Sequence, residues 1–252
     1  MEDYKIIRLE STDSTNNYAK NMPEPADDLT PVVVVTDNQT AGRGQRGNSW
    51  ESEPGSNLTF SLVVYPRWMS PSRQFELSMI VSVGMVNALE GFVEEPEKLS
   101  VKWPNDIYFG DSKLAGILIE NTIGENSIER SIIGIGLNVN QNKFHSDAPN
   151  PISLRQITGL SLDRDAILKK VVDSIVEMLD SYAEDPEVDQ LTAMYNGMLW
   201  RKDNLEHDWL DTASNTRFRA VIEDVDPDGR LTLLKDDGGV VKYLFKEVAA
   251  VL

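Results

Sequence analysis

No cysteine occurs among the 252 residues, and only two histidines, His145 and His207. The first absence removes disulfides, zinc–thiolate sites and any thiol nucleophile together. The second leaves a histidine-rich metal centre without ligands. Positive charge is also scarce, with 24 lysines and arginines against 41 aspartates and glutamates and a formal charge of -17. Phosphate neutralisation needs clustered cations, so a DNA partner is disfavoured and the acidity reads as a solubility device. The start, Met1-Glu2-Asp3-Tyr4-Lys5, lacks a basic segment followed by an apolar one, and no later apolar run is expected to reach the length that crosses a bilayer. These absences predict a cytoplasmic protein without a membrane or DNA partner.

What is present supports a folded enzyme. Apolar residues make up 40% of the chain and charged residues 26%, the balance of a domain with a normal core. The length suits one catalytic domain with a small appendage. Strands are predicted over Tyr4 to Leu9, Val32 to Val35, Leu58 to Tyr65, Leu99 to Trp103, Ile107 to Phe109, Leu114 to Glu120 and Ile132 to Asn140. Ser11 to Asn17 offers several N-caps for a short helix through Tyr18 and Ala19, and Leu77, Val81, Met85, Ala88 and Phe92 mark a largely buried one. Asp163 caps a helix whose apolar stripe runs from Ile167 to Leu179, and a further helix uses Val188, Leu191, Tyr195 and Met198. After Trp200 the texture changes to short strands separated by Asp226-Pro227-Asp228-Gly229 and Asp236-Asp237-Gly238-Gly239, which predicts a small β barrel or sandwich packed directly on the first domain.

Three segments carry chemistry. Gly42-Arg43-Gly44-Gln45-Arg46-Gly47 matches the dinucleotide pattern G-x-G-x-x-G, but Asn48 to Gly55 continues as loop where that fingerprint must open a helix. The segment instead reads as a loop whose backbone N–H groups and two guanidinium groups suit an anion, or as an ordinary solvated loop. Val101-Lys102-Trp103-Pro104-Asn105-Asp106 ends a strand at a proline and sets an amide beside a carboxylate, a composition that also makes a plain turn. Ile133 to Asn140 alternates so that Gly134, Gly136, Asn138 and Asn140 share one face. Repeated glycine weakens a strand, which points to something flat against the backbone, with tight helix packing as the alternative.

Taken in order, Asp13-Ser14-Thr15-Asn16, Gln39 to Gly47, Lys102 to Asp106, Lys113-Leu114-Ala115-Gly116-Ile117-Leu118-Ile119-Glu120 and Gly134 to Asn138 resemble the biotin protein ligases. The resemblance covers most of the chain. It implies an α+β fold, a mixed β-sheet with flanking helices of the class II aminoacyl-tRNA synthetase and biotin ligase type over residues 1–199, and an SH3-like β-barrel over 200–252. It implies biotin and MgATP as substrates, biotinyl-5′-adenylate as intermediate, and a lysine of a biotin carboxyl carrier protein as acceptor. No tightly bound prosthetic group is expected.

By the same resemblance Lys113, Arg43 and Arg46 are the catalytic cations. Ser14, Thr15, Asn16, Gln39, Gly42, Arg43, Gly44, Lys113, Gly116, Gly134 and Gly136 are the biotin side. Arg46, Trp50, Lys102, Asn105, Asp106, Lys113 and Asn138 are the nucleotide side, with Asp106 and Asn138 as candidate metal-organising groups. The loop from Gly42 to Trp50 is expected to close over biotin and exclude water. The best-known form of the motif carries arginine where this chain has Gln45 and Asn48, and a tryptophan found in some members is missing from Asn150 to Leu154. With Ser14-Thr15-Asn16 so near Met1, the monofunctional type without an N-terminal DNA-binding domain is expected. An exposed sheet edge makes a homodimer plausible. The alternatives are a lipoate ligase of the same superfamily and a non-catalytic biotin sensor. The related octanoyltransferases depend on a cysteine that is absent here.

Overall fold

The structure, a computed structural model, describes residues 4–25, 28–44, 48–146 and 149–251. The first strand, β1 (Lys5–Thr12), leads into the short helix α1 (Thr15–Lys20), and β2 (Val32–Gln39) pairs parallel to β1. β3 (Leu58–Val64) precedes the long helix α2 (Gln74–Leu89). Four strands follow: β4 (Leu99–Lys102), β5 (Asp106–Phe109), β6 (Ser112–Ile123) and β7 (Ile128–Leu137). They close a seven-stranded sheet in the order β1-β2-β3-β7-β6-β5-β4, in which every pairing except β1–β2 is antiparallel. The sheet is therefore mixed, as the resemblance implies.

Residue alternation sorts its two faces. Ile133, Ile135 and Leu137 of β7 join the main core with α2, while Gly134 and Gly136 look to the other side. All seven residues of β3 are buried, which fits a central strand covered on both faces. α2 is buried nearly all round. With its flanking turns, Pro71–Phe92 reaches the length and hydropathy that could cross a membrane, contrary to the expectation of no such run. It is a core helix: 67% of its most apolar window is buried, and its buried Glu76 carboxylate accepts from Arg73 Nε at 2.9 Å and the Tyr182 hydroxyl at 2.8 Å.

Behind β7 lie α3 (Leu154–Thr158), α4 (Arg164–Glu184) and α5 (Val188–Gly197). Asp163 caps α4 as its composition predicts, accepting from Asp165 N and Ala166 N. The five-residue α3 is not foreseen, although Ser153 and Gln156 form a reciprocal capping box at its start.

The tail builds a second, antiparallel sheet from β8 (His207–Asp211), β9 (Thr216–Val225), β10 (Leu231–Lys235), β11 (Val240–Tyr243) and β12 (Val248–Ala250), ordered β11-β10-β9-β8-β12. It is consistent with a small SH3-like module. Gly229 occupies its first predicted turn at φ 90°, a conformation that a side chain disfavours. A Cβ there would also strike the Phe75 ring at 2.6 Å, and the Gly229 carbonyl accepts from Trp103 Nε1 at 3.0 Å. The Asn196 amide of α5 both donates to Val225 O at 2.9 Å and accepts from Val225 N at 2.8 Å. These contacts bind the module to the first domain, and one hydrophobic cluster runs through both sheets.

Candidate active site

A cavity of about 750 Å³ opens where the glycine face of the first sheet meets the second sheet. That size is typical of a small-molecule site. Its wall divides into a polar end, a cationic end and a side supplied by the C-terminal module.

The polar end is assembled from α1, β2, β3 and β6. Ser14 is the N-cap of α1, but its hydroxyl makes no capping bond and lines the cavity instead. Gln39 Oε1 accepts from Thr15 N at 2.9 Å, which fixes the start of α1 against the end of β2. The buried Ser61 hydroxyl of β3 lies 2.8 Å from Thr15 Oγ1 and donates to Asn16 Oδ1 at 2.6 Å. Asn16 Nδ2 in turn donates to Glu120 Oε2 at 2.8 Å, and the same carboxylate oxygen pairs with Arg43 Nη2 at 2.6 Å. Burial pushes the Glu120 carboxyl up, but the Asn16 and Arg43 partners outweigh it and hold the group below its usual range. Gly134 is what makes room, since a Cβ there would overlap the Asn16 amide.

At the cationic end Lys113 Nζ contacts Asp106 Oδ2 at 2.6 Å. Lys102 donates to the Tyr108 hydroxyl at 3.0 Å and lies 5.0 Å and 5.2 Å from the Tyr108 and Trp200 ring centres; its burial lowers its affinity for a proton. Pro104 joins Trp103 through a cis peptide bond, and the Tyr195 hydroxyl donates to its carbonyl at 2.6 Å. Asn138 Nδ2 donates to Ile152 O at 3.1 Å, whereas the buried Asn138 Oδ1 has no partner among the described residues. Between the two ends the Trp50 indole lies across the glycine floor. A Cβ on Gly136 would sit 2.5 Å from Trp50 Nε1, and one on Gly116 would sit 2.9 Å from Cζ3.

The two described legs of the glycine-rich loop, residues 42–44 and 48–50, lie antiparallel to each other and open no helix. Trp50 N donates to Gly42 O at 2.9 Å and Gly44 N to Asn48 O at 2.7 Å, so the two legs are pinned together. The third side comes from the C-terminal module, where Trp209, Thr212, Phe245 and Lys246 reach the cavity and Phe245 meets Trp103 edge-on at 5.8 Å.

Residues 8–138 match the model of the biotin/lipoate A/B protein ligase family. The chain belongs to this ligase family. Its relatives include the bifunctional ligase/repressor BirA of Salmonella typhimurium, 28% identical over 99% of this chain and 75% of that protein. The biotin--[acetyl-CoA-carboxylase] ligase of Paracoccus denitrificans is 27% identical over 89% of this chain and 92% of its own. Among solved structures, the biotin protein ligase of Aquifex aeolicus in complex with biotin and ATP superimposes with a TM-score of 0.80 at 27% identity, covering 98% of both chains.

Set against the ligase motifs, the structure gathers Ser14, Thr15, Asn16, Gln39, Arg43, Gly44 and Trp50 around the same cavity as Lys102, Asn105, Asp106, Lys113, Gly116, Gly134, Gly136 and Asn138. Gly42 is not on that wall. Its missing side chain serves the hairpin, because a Cβ would sit 2.9 Å from Gln39 Nε2 and against the Trp50 carbonyl. Asn140 is a correction: β7 ends at Leu137, and the Asn140 amide turns away to exchange two hydrogen bonds with Leu162, both at 2.9 Å. Arg46 lies outside the described residues, as does Gln45. Sequence reasoning missed Ser61 and named none of the residues of the C-terminal wall. It also gave no role to Glu120, although the residue closes one of the quoted motifs.

Proposed function

We propose that this chain is an ATP-dependent biotin ligase that activates biotin as biotinyl-5′-adenylate and transfers it to a lysine of a biotin carboxyl carrier protein. The observation that carries this reading is the separation, within one cavity, of a hydrogen-bonded polar end from an end bearing Lys113, Lys102 and Asp106. The polar end suits a ureido ring, which needs donors and acceptors together. The cationic end suits a carboxylate meeting a triphosphate, where the obstacle is repulsion between two anions.

In the first step a biotin carboxylate oxygen attacks the α-phosphorus, the bond to the β-phosphate oxygen breaks, and pyrophosphate leaves. Lys113 offsets the charge that gathers there, after giving up Asp106 as its partner. In the second step the neutral amine of the acceptor lysine attacks the acyl carbon, AMP departs and the amine loses a proton. The Trp50 hairpin excludes water from the adenylate between the steps. Mg²⁺ arrives as part of the nucleotide substrate. Asp106 and Asn138 Oδ1, which has no partner among the described residues, are oxygen donors of the right chemistry to organise it, and no group of three or more His, Asp or Glu forms a resident metal site among those residues. When bound, the ion neutralises phosphate charge.

The reading places the protein in the cytoplasm with its acceptor, and the -17 charge disfavours DNA as a partner. β1 pairs only with β2 in the sheet order, so its outer edge offers a surface for a homodimer. A lipoate ligase is the second reading, but a dithiolane gives little to the Ser14, Thr15, Asn16 and Gln39 groups on the cavity wall. The test is biotin-dependent exchange of labelled pyrophosphate into ATP, with lipoate as the competitor acid. Exchange with biotin alone supports the proposal. Exchange with lipoate alone would move the assignment to that ligase, and exchange with neither would leave a biotin sensor.

A further inference from the structure

We infer that Glu51 is a positioning residue that ties the glycine-rich hairpin to the wall carrying Phe144 and Ser146, so that the biotin and nucleotide sides of the cavity respond to one another. The inference rests on the proposed function. Glu51 follows Trp50 directly and lines the same cavity, and its carboxylate is turned into a set of donors. Oε1 accepts from His145 N at 2.9 Å and from Gln141 Nε2 at 3.0 Å, and Oε2 accepts from Ser146 N at 2.6 Å. Phe144 and Ser146 line the same cavity as Trp50 and Asn138.

The far side of this link is anchored. Gln141 is 1% exposed, and its Oε1 accepts from Glu53 N at 2.9 Å and Asn57 Nδ2 at 2.5 Å. Asn57 Oδ1 accepts from Val139 N at 3.0 Å, at the exit of β7. Asn57 and Gln141 therefore fix the frame, and Glu51 is the arm that reaches residues 145 and 146. Both carboxylate oxygens are used, and a charged acceptor of backbone N–H bonds is about twice as strong as a neutral one. Burial raises the proton affinity of Glu51, but the Ser146 and His145 bonds outweigh it, so the group stays ionised at neutral pH.

A ligand that repositions Trp50 must move Glu51, and with it the turn holding Phe144 and Ser146. Coupling of this kind is reciprocal between the two ligands. Calorimetric titration of the full chain with biotin and with α,β-methylene-ATP, each alone and in the presence of the other, measures it. In the wild type, biotin should tighten the nucleotide analogue by about fivefold or more. Glu51→Gln, which puts an NH2 against one of the two backbone donors, should bring that factor close to 1 while each ligand alone binds within about threefold of wild type. Glu53→Gln is the control, since that side chain bonds to Ser56 Oγ and does not touch residues 145 and 146. Coupling retained in Glu51→Gln, or lost equally in Glu53→Gln, overturns the inference, as does a wild type that binds both ligands without coupling. A wild type that binds neither ligand removes the proposed function, and the inference falls with it.

Discussion

The two ends of the cavity are built on different terms. Around Asn16 the groups are bonded to one another: Ser61 to Asn16, Asn16 to Glu120, Glu120 to Arg43. Around Lys113 the chain brings opposite charges into contact and leaves Asn138 Oδ1 without a partner among the described residues. Lys113 and Glu120 share β6, seven residues apart, which separates their backbones by roughly 23 Å. At the polar end the donors and acceptors hold one another in a fixed frame. The cationic end must change partners. The Lys113–Asp106 pair keeps 27% and 30% of its side-chain surface exposed, and a pair so open to water is worth at most about 1 kcal/mol. An arriving phosphate can displace Asp106 at that modest cost. One end is therefore held by fixed hydrogen bonding, and the other by charge that is free to be reassigned.

The largest effect that would sharpen this contrast is expected from Lys113→Ala. Biotin-dependent pyrophosphate exchange should fall by about 10²- to 10³-fold, with biotin affinity changed only a few-fold. Equal losses in both quantities would erase the distinction between the ends. Next comes Gly134→Ala, whose Cβ would overlap the Asn16 amide. Steady-state kinetics should show KM for biotin rising about tenfold with kcat nearly unchanged, the cost of overpacking a fixed site. Glu120→Gln removes the charge that holds Arg43 in a half-exposed pair, and KM for biotin should rise by only about threefold.

The smallest effect concerns acid. The Glu120 carboxyl is held below its ordinary value of 4.5, so its contribution to stability is fully present above that pH and is lost as pH falls through the folded value. Thermal unfolding followed from pH 5 down to pH 3 should show the wild type losing about one to two degrees more than Glu120→Gln. Parallel curves for the two proteins would contradict the pairing.

Much of the fold was legible because its signals are local. Runs such as Val32 to Val35, short and β-branched throughout, read as buried strands, and Asp163 announces α4 through two backbone bonds. The five residues of α3 are too few to show a period, so only its capping pair betrays it. The site was legible where a motif names it. Ser61 was not, because it sits in Leu58–Val64, a strand that reads as apolar, and its importance arises only when α1 folds over it. Phe245 and Lys246 were invisible for a similar reason, since they reach the cavity through the docking of a second sheet. Asn140 misled because the two-residue period was extended past Leu137, where the strand stops and the alternation no longer holds. The glycine face was read as the floor for a flat ligand, and in the structure the Trp50 indole lies across it.

The hydrophobic cluster that runs from Met79 and Ile133 through Tyr195 to Trp209, Ile222 and Leu231 has a consequence for how the molecule can be divided. A boundary near residue 200 describes where the chain changes texture. It does not mark a place to cut, because a fragment ending there would leave Tyr195 and the outer side of that cluster facing water. Melting should accordingly proceed as one cooperative transition, and the cavity wall supplied by the tail persists as long as the core beneath it does.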